Sequence, residues 1–151
     1  DEIAKPEGFK KGDEFEDYIR EHLFTKDRFA ILQRTHDYAT NKHDYIESTK
    51  DPDFKFRAIR TGKKFFVEAK YRSRYYNDMV EWCKTFQMKR YKEKDEELPV
   101  YIALGLGGEA SSPAQVFLIP MEDIKYSRLF PSFLRNYEVP NGKPIDYQRL
   151  R

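Results

Sequence analysis

Cysteine is almost missing from this chain. Of its 151 residues only Cys83 carries a thiol, which excludes an internal disulfide and makes a reducing, cytoplasmic setting the expectation. No apolar run reaches membrane-spanning length, and no signal peptide is evident. An excess of one charge is missing too: 28 Lys and Arg face 26 Asp and Glu, for a net +2. Global charge therefore does not point to nucleic acid, and only local patches can do so. A phosphate loop is lacking, because Gly107-Gly108-Glu109-Ala110-Ser111-Ser112-Pro113 has neither the lysine nor the spacing. His36-Asp37-Tyr38 and His43-Asp44-Tyr45 echo each other in a polar stretch, but their spacing fits no zinc pattern and no thiol is near. A loop or a nucleic-acid contact is the expectation there. No internal repeat of useful length occurs. The chain begins at Asp1 without a methionine, which leaves open a fragment of a longer protein with an anchor or domain upstream.

What is abundant is aromatic and charged. With 12 Phe, 11 Tyr and 36% charged residues, the composition has too many aromatics for disorder and enough chain for one domain with a real core. We expect a single domain over 1–151, its core at about 12–120 and a C-terminal extension at 121–151. Phe15, Tyr18, Ile19 and Leu23 recur at helical spacing and predict a helix over Gly12–Phe24, with Asp13 as its N-cap. Glu16 borders the apolar face of that helix, where an acid either points into a site or serves the helix dipole. Phe29–Arg34 reads as a short buried strand. Asn77–Glu93 reads as a second helix, with Met79, Trp82, Cys83 and Phe86 as its inner stripe. Pro99–Leu106 reads as a strand buried on both faces. Gln115–Pro120 reads as another strand, and Met121–Leu134 as short helices. A mixed sheet of about five strands flanked by helices follows from that order.

The stretch with most chemical content is a hairpin. Phe54–Arg60 pairs with Lys64–Lys70 around a Gly62-Lys63 turn, and Phe, Val and Ile dominate both arms. Glu68 and Lys70 lie two apart and share a face. Asp53 begins the first arm, near the same end of the hairpin as Glu68. Two carboxylates and one ammonium therefore converge. Two close carboxylates stay ionised cheaply only with a cation between them. A hard divalent ion such as Mg²⁺ takes few carboxylates, keeps waters and binds substrate phosphate. The alternative is that Glu68 and Lys70 are ordinary charges on a solvent-facing edge.

Local basic patches flank the hairpin. Tyr71-Arg72-Ser73-Arg74-Tyr75-Tyr76 interleaves arginines, which contact phosphates, with tyrosines, which stack on bases. Lys84, Lys89, Arg90, Lys92 and Lys94 give the second helix a basic outer surface that suits a phosphate backbone or plain solvation. Gln87 and Tyr91, four apart, share one face of that helix. Cys83 reads as core, without an activating partner.

These residues resemble the PD-(D/E)xK nuclease superfamily, with its restriction-endonuclease-like fold. Pro52-Asp53 matches the PD and Glu68-Ala69-Lys70 the ExK. Gly12-x-x-Phe15-Glu16 resembles the helix that carries an additional acid, and Gln87-x-x-x-Tyr91 resembles the signature of RecB-like nucleases. Gln87 alone also suits Mrr-like relatives. The resemblance covers about Gly12 to Pro120. It implies that Asp53 and Glu68 bind Mg²⁺ or Mn²⁺, with the Ala69 carbonyl and Glu16 as further ligands. It implies that Lys70 positions the nucleophilic water and that Gln87 orients Lys70 or the phosphate. Tyr91 would pack or bond nearby. The partner would be DNA, contacted by Arg72, Arg74, Tyr75, Lys84, Lys89, Arg90 and Tyr91, with 5′-phosphate and 3′-hydroxyl products. The chain lacks the iron–sulfur cysteines and helicase segments of RecB-like proteins and any obvious target-recognition domain. A homodimer or an additional domain in a longer protein is compatible with this reading.

Three functions stay in play at this level: a metal-dependent DNA nuclease, a nucleic-acid or protein binding module on the same fold without catalysis, and a structural domain whose charges only solvate it.

Overall fold

The computed structural model describes residues 7–35 and 51–150. The His36–Tyr45 echo lies outside the described residues. The chain opens with α1 (Glu7–Tyr18), which runs on into a π-helical turn (Ile19–Leu23). The helix starts five residues before Gly12, so Asp13 is an interior residue and not the cap. The expected stripe holds: Phe15, Tyr18, Ile19 and Leu23 are all buried.

Five strands form the main sheet: β1 (Phe29–Arg34), β2 (Phe54–Ala58), β3 (Lys64–Arg72), β5 (Val100–Glu109) and β6 (Ser112–Pro120). Their order is β1-β2-β3-β5-β6, and among these neighbours only β3 and β5 run parallel. A parallel step needs a crossover, and here it contains α2 (Thr85–Glu97). The two-residue strands β4 (Val80–Glu81) and β7 (Arg128–Leu129) pair separately. A short α3 (Pro131–Leu134) follows. Among the described residues no helix is long and apolar enough to cross a membrane.

Three expectations need correction. The strand Phe29–Arg34 exists but is not buried: only Phe29 is, and Ile31 and Leu32 are exposed. It is a sheet edge, and a register shift between Ile31 and Gln33 bends it as edge strands commonly are bent. The second helix starts at Thr85, not Asn77. Asn77 and Asp78 both adopt positive φ, at 53° and 60°, and close a two-residue turn between Tyr76 and Met79. Asn and Asp tolerate that region better than other side chains do. Trp82 and Cys83 are buried from an extended segment, while Phe86 is exposed. Finally, Leu129 belongs to β7 and not to a helix.

Aromatic packing holds α1 to the sheet. Phe15, Phe24, Phe29, Phe54, Phe56 and Phe65 fill one face, joined by Val139, Ile145 and Leu150 from the C-terminal tail. Gly105 makes the close approach of α1 feasible, since a Cβ there would sit 2.6 Å from the Phe15 ring. The other face buries Phe66, Trp82, Tyr91, Ile102, Leu104 and Ile119 beneath α2 and the β4–β7 segments. Two buried acids lie at one end of the β2–β3 hairpin: Asp53 just before β2 begins, and Glu68 on β3.

Candidate active site

The geometry begins with Pro52. In the β2–β3 register Phe54 faces Val67, so continuing it one hydrogen-bonded step would set Pro52 against Ala69. Proline has no N–H to give the ladder. The ladder stops there, and side chains take over the backbone groups. Ala69 N–H donates to Asp53 Oδ2 at 2.8 Å. Asp53 N–H donates to Glu68 Oε1 at 3.1 Å. Thr35 fastens the same turn from the end of β1: its N–H donates to Asp53 O at 2.8 Å and its hydroxyl to Pro52 O at 2.7 Å. Two carboxylates are thus clamped together by the proline that precedes one of them.

Glu68 is 3% exposed and Asp53 likewise 3%. Glu68 Oε2 accepts the Tyr91 hydroxyl at 2.8 Å and lies 3.4 Å from Lys70 Nζ. The Lys70 ammonium also sits 5.9 Å from the Tyr91 ring centre. Burial and the neighbouring Glu68 charge push the Tyr91 phenol far above its usual range, so it keeps its proton and donates at any ordinary pH. Tyr91 is 6% exposed. Its hydroxyl is spent on Glu68 and its ring is buried, a placement that fits support of the acid better than the nucleic-acid contact expected of it.

Glu16 arrives from α1 and is 6% exposed. Its carboxyl is pushed up to about 10, chiefly by burial and then by the Asp53 charge, with Glu68 adding to the effect and Arg34 opposing it. Arg34 at the end of β1 lies with Nε 3.4 Å from Glu16 Oε1 and Nη2 2.9 Å from Asp17. It also stacks 5.1 Å over the Phe54 ring. Arg34 escaped sequence reading because nothing links a strand-end arginine to an acid 18 residues earlier. Glu16 therefore feels both other acids, and Arg34 does not offset its burial.

Among the described residues no three His, Cys, Asp or Glu side chains stand close enough to hold a metal ion as a trio. A pair does stand together, Asp53 and Glu68, and two carboxylates with waters is the usual protein share of a Mg²⁺ site. The donor set is all oxygen, with the Ala69 carbonyl on the strand edge that Pro52 leaves without an N–H. That chemistry suits a hard divalent cation and not zinc or copper.

The remaining expected residues lie elsewhere. Gln87 spends its Oε1 on the Lys84 N–H at 2.8 Å, closing the start of α2. Arg72 gives its guanidinium to the carbonyls of Glu81, Tyr71 and Trp82 at 2.8 to 3.1 Å, so it pins the β4 segment as well as carrying charge. Arg74, Lys84 and Lys89 are exposed, and Tyr75 and Arg90 half-buried. Part of the basic face of α2 is already engaged: Lys94 pairs with Asp51 at 2.9 Å and Lys92 donates to Ile124 O at 3.0 Å.

No family model and no curated protein matches this chain in sequence. Its structure is similar to that of Hjc, a Holliday junction resolvase from the archaeal hyperthermophile Archaeoglobus fulgidus, with a TM-score of 0.57 at 16% identity. The match covers 85% of this chain and 90% of that one. The chain has a resolvase-like, restriction-endonuclease-like fold: a five-stranded mixed sheet flanked by helices.

Proposed function

We propose that this chain is a metal-dependent DNA nuclease of the PD-(D/E)xK superfamily, hydrolysing phosphodiester bonds at Asp53, Glu68 and Lys70. The observation that carries the reading is Glu68: a carboxylate 3% exposed, clamped beside a second buried carboxylate, with an ammonium 3.4 Å away. Burying such charges costs several kcal/mol, ~3–5 when a partner is then removed. Two buried acids beside an ammonium suit a site that receives a cation and a phosphate. The resolvase-like fold supports the same reading.

Asp53 and Glu68 would hold Mg²⁺ or Mn²⁺ with the Ala69 carbonyl, and Glu16 would join directly or through water. An ion held there would supply Lewis-acid charge for a phosphoryl oxygen and a lowered pKa for the attacking water. The chain's own groups set the rest of the reaction. The Lys70 ammonium donates hydrogen bonds to the attacking water and to the phosphate oxygens, where negative charge grows in the transition state. Tyr91 keeps Glu68 in one rotamer, and Ala69 N–H does the same for Asp53. Exposed Arg74, Lys84 and Lys89, with Arg90, attract the phosphate backbone. Cleavage would leave a 5′-phosphate and a 3′-hydroxyl.

The test is incubation of the protein with supercoiled plasmid and linear DNA in Mg²⁺ or Mn²⁺. Lys70→Ala should cut at least ~100-fold more slowly, the usual loss when one transition-state donor is removed. Glu68→Gln should be inactive with its circular dichroism unchanged. Salt-sensitive DNA binding without turnover in either metal would replace this reading with the binding module.

A further inference from the structure

Beyond Lys70, strand β3 leads into a second feature that includes Arg74 and Lys84 but lies outside the acids and Lys70. Lys70 and Arg72 share a face of β3, about 7 Å apart at the usual strand rise. At Arg72 a cleft of about 560 Å³ opens, lined by Arg74, Tyr76, Lys84 and Arg128 among others. A second cleft of about 610 Å³ adjoins it, lined by Lys125, Tyr126 and Phe130 among others. The two share Met79, Glu81 and Arg128. The two clefts therefore adjoin along these residues, and we refer to them together as the groove.

The groove is built, not a frayed surface. Tyr76 stands on the two-residue turn at Asn77 and Asp78, closed by reciprocal bonds between Tyr76 and Met79 at 2.8 and 3.1 Å. Positive φ at both turn residues matches the twist of a tight hairpin. On the other wall, Trp82 holds the Tyr126 carbonyl at 3.0 Å through its indole N–H. Trp82 also donates its backbone N–H to Ser127 O at 3.0 Å, and Glu81 pairs with Arg128 across the β4–β7 ladder. Yet the rings these elements carry are left in solvent: Tyr76 is 74% exposed, Tyr126 70% and Phe130 54%.

Charge decides what such rings are for. Among the described lining residues Arg72, Arg74, Lys84, Lys125 and Arg128 are cationic and only Glu81 is acidic. Glu81 is itself paired with Lys84 at 2.9 Å and Arg128 at 3.5 Å. A protein partner would favour a face depleted of charge at its centre. A duplex would meet the cations but leave the rings idle, because its base faces are already stacked. Bases of an unpaired strand have both needs at once, a π-face to stack and a phosphate to neutralise.

We propose that the groove from Arg72 to Phe130 seats an unpaired DNA strand, with bases stacked on Tyr76 and Tyr126 and phosphates on Arg74, Lys84, Lys125 and Arg128. This rests on the nuclease reading and gives it a substrate class: DNA with a single-stranded segment beside the scissile phosphate.

Fluorescence anisotropy in EDTA, where cleavage is off, tests the groove separately. The probes are a labelled oligothymidylate and a hairpin duplex of equal length. The protein should bind the single strand at least ~10-fold more tightly. A Tyr76→Ala/Tyr126→Ala double variant should lose at least ~10-fold of that affinity, and the Tyr→Phe pair should regain it, since stacking needs the ring and not the hydroxyl. Both substitutions lie on exposed side chains and keep the backbone groups that Met79 and Trp82 bond. Equal affinity for duplex, or Ala variants that bind the strand unchanged, would overturn the proposal. So would a self-association that the Ala variants abolish while strand binding persists, because a second copy would then cover the face. If no DNA is cleaved but tyrosine-dependent strand binding remains, the nuclease reading fails and the groove stands. If duplex is cleaved and the tyrosines do not matter, the reverse holds.

Discussion

At the scale of single residues, the candidate site is a problem of buried charge solved by a few donors. Glu68 takes the Tyr91 hydroxyl, the Asp53 N–H and the Lys70 ammonium. Tyr91→Phe deletes one donor and leaves the ring in place against Trp82, whose centre lies 5.4 Å away. A donor lost from a buried acceptor costs about 1–3 kcal/mol. Urea unfolding of Tyr91→Phe should show that loss without a change in slope, whether or not the protein cleaves DNA. The sequence showed part of this. Glu68 and Lys70 share a face by strand alternation alone, and Asp53 falls opposite by hairpin pairing. Spacing puts Tyr91 only on the same helix face as Gln87, and the family resemblance alone implies that it packs near the acids; one tyrosine on a basic helix gives no sign of its depth. Gln87 had the helical spacing to face the site, yet the helix starts only two residues before it, and capping the first turn took its side chain.

At the scale of elements, what positions the acids is how closely α1 lies against the sheet. Gly105 on β5 admits the Phe15 ring, with 2.6 Å between that ring and the place a Cβ would occupy. Neighbouring Glu16 therefore depends on a glycine two strands away from Asp53. Gly105→Ala should force Phe15 outward and destabilise the fold by about 1–3 kcal/mol, the usual cost of overpacking. If Glu16 serves the site, the variant should also lose activity beyond what its folded fraction explains. Thermal melts beside metal-dependent cleavage check both at once. Element type was legible where the pattern was strong, as in the periodic Phe15–Leu23 and Phe54–Ala58 and the unbroken apolar run Val100–Leu106. It failed at Asn77–Lys84, where apolar residues at helical spacing belong to a tight turn and an extended segment. Two adjacent residues with positive φ outweighed the pattern, and no count of apolar positions reports φ.

At the scale of the whole molecule, Glu16 makes stability depend on pH. Its folded carboxyl keeps a proton up to about 10, while the unfolded chain releases it near 4.5. Between those values the native state binds one more proton than the unfolded state, so raising the pH favours unfolding. The stabilisation is complete below the lower value and is lost as pH rises toward the upper one. The slope is at most ~1.4 kcal/mol per pH unit. In metal-free buffer, wild type should lose stability relative to Glu16→Gln between about pH 5 and about pH 9. Chemical denaturation at several pH values measures it, and parallel curves for the two proteins would refute it. The amino-acid sequence by itself determined the alternation that sets Glu68 beside Lys70, the hairpin that brings Asp53 to them and the mixed-sheet fold class. These are local, because strand and turn geometry carry them across few residues. Only the tertiary structure decided that Glu16 and Arg34 meet, that Tyr91 is buried against Glu68, and that the clefts of Tyr76 and Tyr126 adjoin at Arg128. Those groups come from segments far apart in the chain, and their proximity depends on how two layers close on one sheet.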